Sequence, residues 1–63
     1  MKFEDIKHNN EYIVLESFNS RRMIKDSIIK VVEINEYDDP FVYCYGVNGG
    51  SGYINANNLK ELE

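Results

Sequence analysis

Near its C-terminus the chain reads Asn48-Gly49-Gly50-Ser51-Gly52-Tyr53-Ile54-Asn55-Ala56-Asn57-Asn58-Leu59-Lys60-Glu61-Leu62. Asn-Gly is a strong hairpin signal, because both residues tolerate the positive φ angles of a tight turn. The β-forming pair Tyr53-Ile54 follows, and the small polar run after it predicts one helical turn. Residues 59–62 then predict a closing strand. The order turn, strand, helical turn and strand predicts the end of a small all-β domain.

Earlier segments also have β-forming composition. They are Tyr12 to Glu16, Ile28 to Ile34 and Phe41 to Tyr45. Residues 17–27 form an irregular loop, and a loop of that length in so small a domain usually has a function. Residues 35–40 form a turn cluster that ends in a proline, which cannot donate to a strand ladder. Residues 46–50 are predicted to turn the chain before the fourth strand.

This order of segments resembles the SH3-like barrels, particularly the small bacterial and phage proteins of that superfamily. Gly52-Tyr53-Ile54 is similar to the glycine-aromatic-aliphatic strand that precedes a short helical turn in that fold. The resemblance covers residues 12–62. It implies an all-β domain over residues 12–63: a small five-stranded SH3-like barrel with a short 3-10 turn before the last strand. An OB-like barrel is the alternative, although it usually needs more residues and a helix between its strands.

Residues 1–11 are polar and charged, and we interpret them as a lead-in segment to the barrel. Phe3 and Ile6 are three positions apart, which places them on one face of a helical turn that could dock on the barrel. The run is too short to form a stable helix alone.

The resemblance to peptide-binding SH3 domains fails at the residues that hold a proline-rich ligand. The chain has no tryptophan. Asn55 stands where that family has a proline, and Asn58 stands where it has a tyrosine. The tyrosines expected in the first strand are replaced near Val14 and Glu16, and the first loop carries arginines in place of carboxylates. A polyproline ligand needs flat aromatic walls, so we do not expect polyproline recognition.

Composition and net charge argue against several classes of function. The 63 residues carry a net charge of −4 with a pI near 4.8, whereas nucleic-acid-binding domains usually show a basic stripe. Nucleic acid is therefore not the favoured partner. No apolar run is long enough to span a membrane, and the N-terminus does not resemble a signal peptide. With one cysteine and no metal-ligand pattern, we expect a cytoplasmic protein without cofactor or metal.

The best candidate for a binding surface is aromatic. Alternation along the strands places Val42, Cys44 and Ile54 inward, together with Val14 or its neighbours, Ile29, Val31 and Leu59. The same alternation predicts outward side chains that lie on adjacent strands, namely Phe41, Tyr43, Tyr45 and Tyr53. Tyrosine is enriched at binding hot spots, because it supplies large contact area with little rotamer entropy. The alternative is ordinary cross-strand packing of aromatics on a pleated surface.

Charged and loop residues supply weaker candidates. Phe18, Arg21 and Arg22 in the first loop could contribute specificity, or the arginines could simply be solvated. The carboxylates of residues 33, 36, 38 and 39 lack the glycine and ligand order of a calcium loop, so a solvated acidic face is the preferred interpretation. Attraction of these carboxylates to a basic partner surface is the alternative.

Catalysis is not expected. His8 has no nucleophile near it in sequence, Cys44 is predicted to be a small buried hydrophobe, and the glycines before Tyr53 lack the lysine and helix of a phosphate loop. A barrel this small is also filled by its own side chains.

These observations predict a non-enzymatic protein-binding module. A small accessory or phage-type regulatory protein that docks on a larger protein partner fits them best. The alternative is a nucleic-acid-associated or ribosome-associated SH3-like protein, in which arginines contact phosphates and tyrosines stack on bases. A homo-oligomer joined through the tyrosines is the third hypothesis.

Overall fold

The structure, a computed structural model, describes residues 1–17, 24–46 and 50–62. Its strands are β1 (Glu11–Val14), β2 (Ile28–Glu33), β3 (Phe41–Gly46), β4 (Ser51–Asn55) and β5 (Leu59–Glu61). Short 3-10 turns accompany them, namely η1 (Phe3–Asp5), η2 (Glu36–Asp38) and η3 (Ala56–Asn58). Within these described ranges, no helix has the length and apolarity needed to cross a membrane.

The strands form one antiparallel sheet in the order β4-β3-β2-β1-β5. The prediction of an all-β chain with a 3-10 turn before the last strand is thus confirmed. Closure into a barrel is not confirmed. Among the described residues, β4 pairs only with β3 and β5 only with β1, so the sheet stays open between its two end strands.

The core lies on one face of this sheet, and the predicted inward residues are all buried there. Its members are Ile6, Tyr12, Val14, Ile29, Val31, Val42, Cys44, Ile54, Ala56 and Leu59. On β3 and β4 the buried residues Val42, Cys44 and Ile54 each lie between neighbours that are partly or fully exposed, as the side-chain period of a strand requires. Burying one large aliphatic side chain contributes roughly 1.5–3 kcal/mol, so this cluster carries most of the stability of the domain.

Strand boundaries differ from the prediction where hydrogen bonds to residues distant in sequence, or a register shift, interrupt the ladder. β1 ends at Val14 rather than Glu16, because the backbone beyond it bonds to Asn58 in the turn before β5. β2 ends at Glu33 with a register shift between Val31 and Glu33, where an extra residue interrupts the pairing with β3.

The N-terminal segment packs on the sheet. Ile6 is part of the core, and Phe3 packs against it. Asn9 N–H donates to the Val31 carbonyl at 2.8 Å, and Val31 N–H donates to the Asn10 carbonyl at 3.0 Å. Asn9 has a φ of 68°, in the left-handed region that asparagine tolerates better than most residues. These two bonds lengthen the β1–β2 ladder by pairing Asn9 and Asn10 with Val31 just before β1 begins.

Candidate functional site

The outer face of β3 and β4 carries a group of aromatic side chains. Tyr43, Tyr45 and Tyr53, here called the tyrosine strip, lie on this face together with Phe41. Tyr45 is 52% exposed, Tyr53 48% and Phe41 41%, whereas Tyr43 in the middle is partly buried. The structure therefore brings together all four predicted strand aromatics on one face.

The ladder between β3 and β4 explains how closely the central pair approaches. Gly46 N–H donates to the Gly50 carbonyl at 2.7 Å, and Ala56 N–H donates to the Pro40 carbonyl at 2.9 Å. Antiparallel ladders alternate between bonded and non-bonded pairs, so Tyr43 opposite Tyr53 is a non-hydrogen-bonded pair. Side chains of such pairs are the closer ones, which places these two rings in direct contact.

The three rings pack edge to face around Tyr43. Its centroid lies 5.0 Å from that of Tyr53 with an interplanar angle of 64°, and 6.0 Å from that of Tyr45 with an angle of 71°. This geometry aligns the positive edge of one ring with the negative face of the next. The Tyr43 hydroxyl also donates to the Ser51 hydroxyl at 3.0 Å. The central ring is thus held at its sides and its tip, and the outer two stay half exposed.

Residues on β2 border the strip. Lys30 is opposite Tyr45 and Glu33 is opposite Tyr43, so both exposed charges share the outer face with the tyrosines. At the register shift between them, the His8 ring donates through Nε2 to the Val32 carbonyl at 2.7 Å. The tyrosine strip is therefore an uncharged area with one cation and one anion along its β2 border.

The remaining predicted site residues do not join the strip. Phe18, Arg21 and Arg22 lie outside the described residues. The carboxylates of Glu36, Asp38 and Asp39 lie in or beside η2, next to Tyr37, whose side chain is 89% exposed. In the described part of the chain, no group of three or more His, Cys, Asp or Glu residues is arranged to hold a metal ion.

Cys44 is a core residue in the structure, as predicted. Its side chain is fully buried, and burial raises the pKa of the thiol to about 11. A thiol with this pKa stays protonated at neutral pH, and the thiolate is the nucleophilic form. The Cys44 side chain therefore has a packing role in the core and is not placed to act as a nucleophile.

Two asparagines have roles that the sequence reasoning missed. The Asn55 carboxamide oxygen accepts from Asn57 N–H at 2.9 Å and caps η3, and the Asn58 side chain bonds to the backbone of Glu16. Asparagine at a strand-to-turn junction often bonds to the backbone two residues later, so the run from Asn55 to Asn58 contained a usable signal for the first role. The second role joins segments distant in sequence and had no local signal.

A scan against protein-family models finds no match, and neither do searches of curated proteins and of solved structures.

Proposed function

We propose that this chain is a non-enzymatic, SH3-like protein-binding module that docks on a larger partner protein through the tyrosine strip. The observation that carries the proposal is the edge-to-face packing of Tyr43 between two half-exposed tyrosines. The SH3-like assignment is supported by the strand order β4-β3-β2-β1-β5 and by η3 directly before β5.

The strip has the physical properties of a binding hot spot. Tyrosines already held by their neighbours lose little conformational entropy when a partner covers them, so more of the contact energy remains as affinity. An uncharged aromatic area on a chain of net charge −4 also allows close approach without burying an unpaired charge. Together these features favour a protein surface as the ligand.

The partner need not be rich in proline. Asn55 and Asn58 stand at positions where peptide-binding SH3 domains present a proline and a tyrosine, and both carboxamides are engaged with the protein backbone. A ligand in the polyproline conformation requires aromatic walls at such positions. The binding surface of this module is therefore the sheet face and not the loop groove.

A small accessory or regulatory protein of phage type, acting in the cytoplasm, suits this arrangement. Such a chain has no catalytic function of its own, and it acts by covering part of its partner or by holding one conformation of it. The uncharged strip would make the contact, and the acidic residues around η2 would attract a basic surface before contact.

The experiment is affinity capture with the tagged protein from a lysate of the native cell, with and without nuclease, read by mass spectrometry. The proposal predicts one protein retained in near-equal amount after nuclease treatment. Capture of ribosomal or nucleic-acid-associated proteins that disappears with nuclease would instead support the nucleic-acid alternative, because phosphate contacts would then carry the affinity.

A further inference from the structure

The two end strands of the sheet differ in how they are protected. Three-residue β5 carries Lys60 and Glu61, and short length and charge are devices that keep an edge strand from pairing with other chains. Five-residue β4 reads Ser-Gly-Tyr-Ile-Asn, with no charged residue and no proline. The edge of β4 is therefore longer than that of β5 and carries neither a charge nor a proline that would keep another strand from pairing with it.

The alternation of the ladder shows which backbone groups face that edge. The pairs formed by Tyr53 and by Asn55 with β3 are non-hydrogen-bonded, because they fall between the bonded pairs that include Gly50 and Ala56. The N–H and C=O groups of Tyr53 and Asn55 therefore point away from β3, in the plane of the sheet. They offer donors and acceptors with strand spacing to a further strand.

A strand added beside β4 would also extend the tyrosine strip. Directly opposed residues on neighbouring strands share a face, with Cβ atoms roughly 4.5–5.5 Å apart. The residue opposite Tyr53 would therefore meet its ring on the side away from Tyr43. In this mode the backbone bonds supply affinity and the side chains that meet the strip supply specificity.

The charge of the chain indicates what kind of strand can pair with the edge of β4. A second copy would bring together two chains of net charge −4 each, which repel one another. At the C-terminal end of β4 the nearby charges balance, because Glu4 and Asp39 line a depression of about 310 Å³ with Lys2, and the Met1 ammonium donates to the Ala56 carbonyl at 3.2 Å. β4 itself carries no charge, so the net charge of the chain determines which segment is complementary. An extended segment that carries lysine or arginine is complementary to a chain of net charge −4.

We propose that β4 is the docking edge for an extended, basic segment of the partner, which adds as an antiparallel strand and packs its outward side chains against the tyrosine strip. This inference rests on the proposed function, since it names the kind of segment that the module binds. It adds that backbone bonds from Tyr53 and Asn55 are part of the interaction.

The test compares Asn55→Pro with Asn55→Ala. Asn55 has φ −69° and ψ 131°, which proline adopts without strain, and its N–H faces the edge and not the ladder. Both variants lose the side-chain cap of η3, but only the proline variant loses the edge N–H. The probes are peptides selected on the wild-type protein from a random library of short sequences. Circular dichroism confirms that each variant is folded.

The expected result is that selected peptides alternate β-forming residues, carry a net positive charge, and bind Asn55→Pro roughly tenfold or more weakly than Asn55→Ala. Peptide binding should also slow hydrogen exchange of the Tyr53 and Asn55 amides. If the proline variant does not fold, a synthetic chain with an N-methylated Tyr53 amide replaces it, because this change keeps the tyrosine ring and removes one edge donor.

Equal binding of the peptides to both variants, selection of proline-rich or helical peptides, failure to select any binder, or dimerisation through β4 in sedimentation experiments would each overturn the inference. Its failure is separable from failure of the proposed function. A partner whose capture survives Asn55→Pro but is lost on truncating the tyrosines leaves the strip as the docking surface and removes only the added strand.

Discussion

The Asn58 side chain pairs with the backbone of Glu16 as a neighbouring strand would. Its carboxamide oxygen accepts from Glu16 N–H at 2.9 Å, and its Nδ2 donates to the Glu16 carbonyl at 2.8 Å. The Asn58 carbonyl also accepts from Leu15 N–H at 2.8 Å. These bonds join residues 42 positions apart and fasten the start of the first loop to the turn before β5. The Asn58 side chain thus continues the contact between β1 and β5 beyond Val14 and Leu59, where their ladder ends.

Replacing Asn58 by alanine should lower the free energy of unfolding by roughly 1–2 kcal/mol, because two hydrogen bonds are lost and each contributes about 0.5–1.5 kcal/mol net. Urea unfolding measures the change. Asn57→Ala is the matched control, since this neighbouring side chain is exposed and its truncation should change stability by no more than about 0.5 kcal/mol. Equal effects of the two substitutions would show that the Asn58 pair does not stabilise the fold.

Adjacent residues on β4 should respond in opposite ways to truncation. Ile54 is 1% exposed in the core, so Ile54→Ala should cost about 2–5 kcal/mol, which is enough to unfold a domain of this size. Tyr53 lies on the outer face, and Tyr53→Ala should leave the chain folded with a loss of about 1 kcal/mol from its ring contacts. Circular dichroism with thermal unfolding distinguishes the two. A folded Ile54→Ala variant together with an unfolded Tyr53→Ala variant would show that Tyr53, and not Ile54, lies in the core.

Burial of Cys44 should make stability depend on pH in the alkaline range. The folded thiol has a pKa near 11, against an ordinary 9.0, so between these values the unfolded chain loses its proton while the folded chain retains it. The unfolded state then binds fewer protons, and the free energy of unfolding falls as pH rises from about 9 to about 11. Urea unfolding across this range should show a steeper fall for the wild type than for Cys44→Ala. Parallel curves would show that the thiol ionises equally in both states.

Much of this architecture was predictable because alternation is a local property. Phe41 to Tyr45 alternate strictly, so the sequence alone separates core residues from the tyrosine strip. The turn at residues 56–58 was predictable for the same kind of reason, since small polar residues between two β-forming segments favour a turn.

Other features depend on contacts distant in sequence. The end of β1 at Val14 reflects the bonds that Asn58 makes with the next residues, and no pattern within β1 encodes them. The register shift after Val31 occurs where residues 8–10 reach β2, including the bond from His8 to the Val32 carbonyl. The approach of Tyr43 to Tyr53 depends on the hydrogen-bonding phase of the ladder, which composition does not determine.

One affinity measurement decides whether the tyrosine strip binds the partner. The dissociation constant for the captured protein is measured with the wild type, with the double variant Tyr45→Ala and Tyr53→Ala, and with Tyr37→Ala. Tyr37 is the matched control, because it is an exposed tyrosine on η2, outside the sheet.

The double variant should stay folded and bind roughly 100-fold or more weakly, since each hot-spot tyrosine contributes about 2 kcal/mol or more. Tyr37→Ala should bind within about twofold of the wild type. A folded double variant with unchanged affinity would contradict the assignment of the strip as the binding surface.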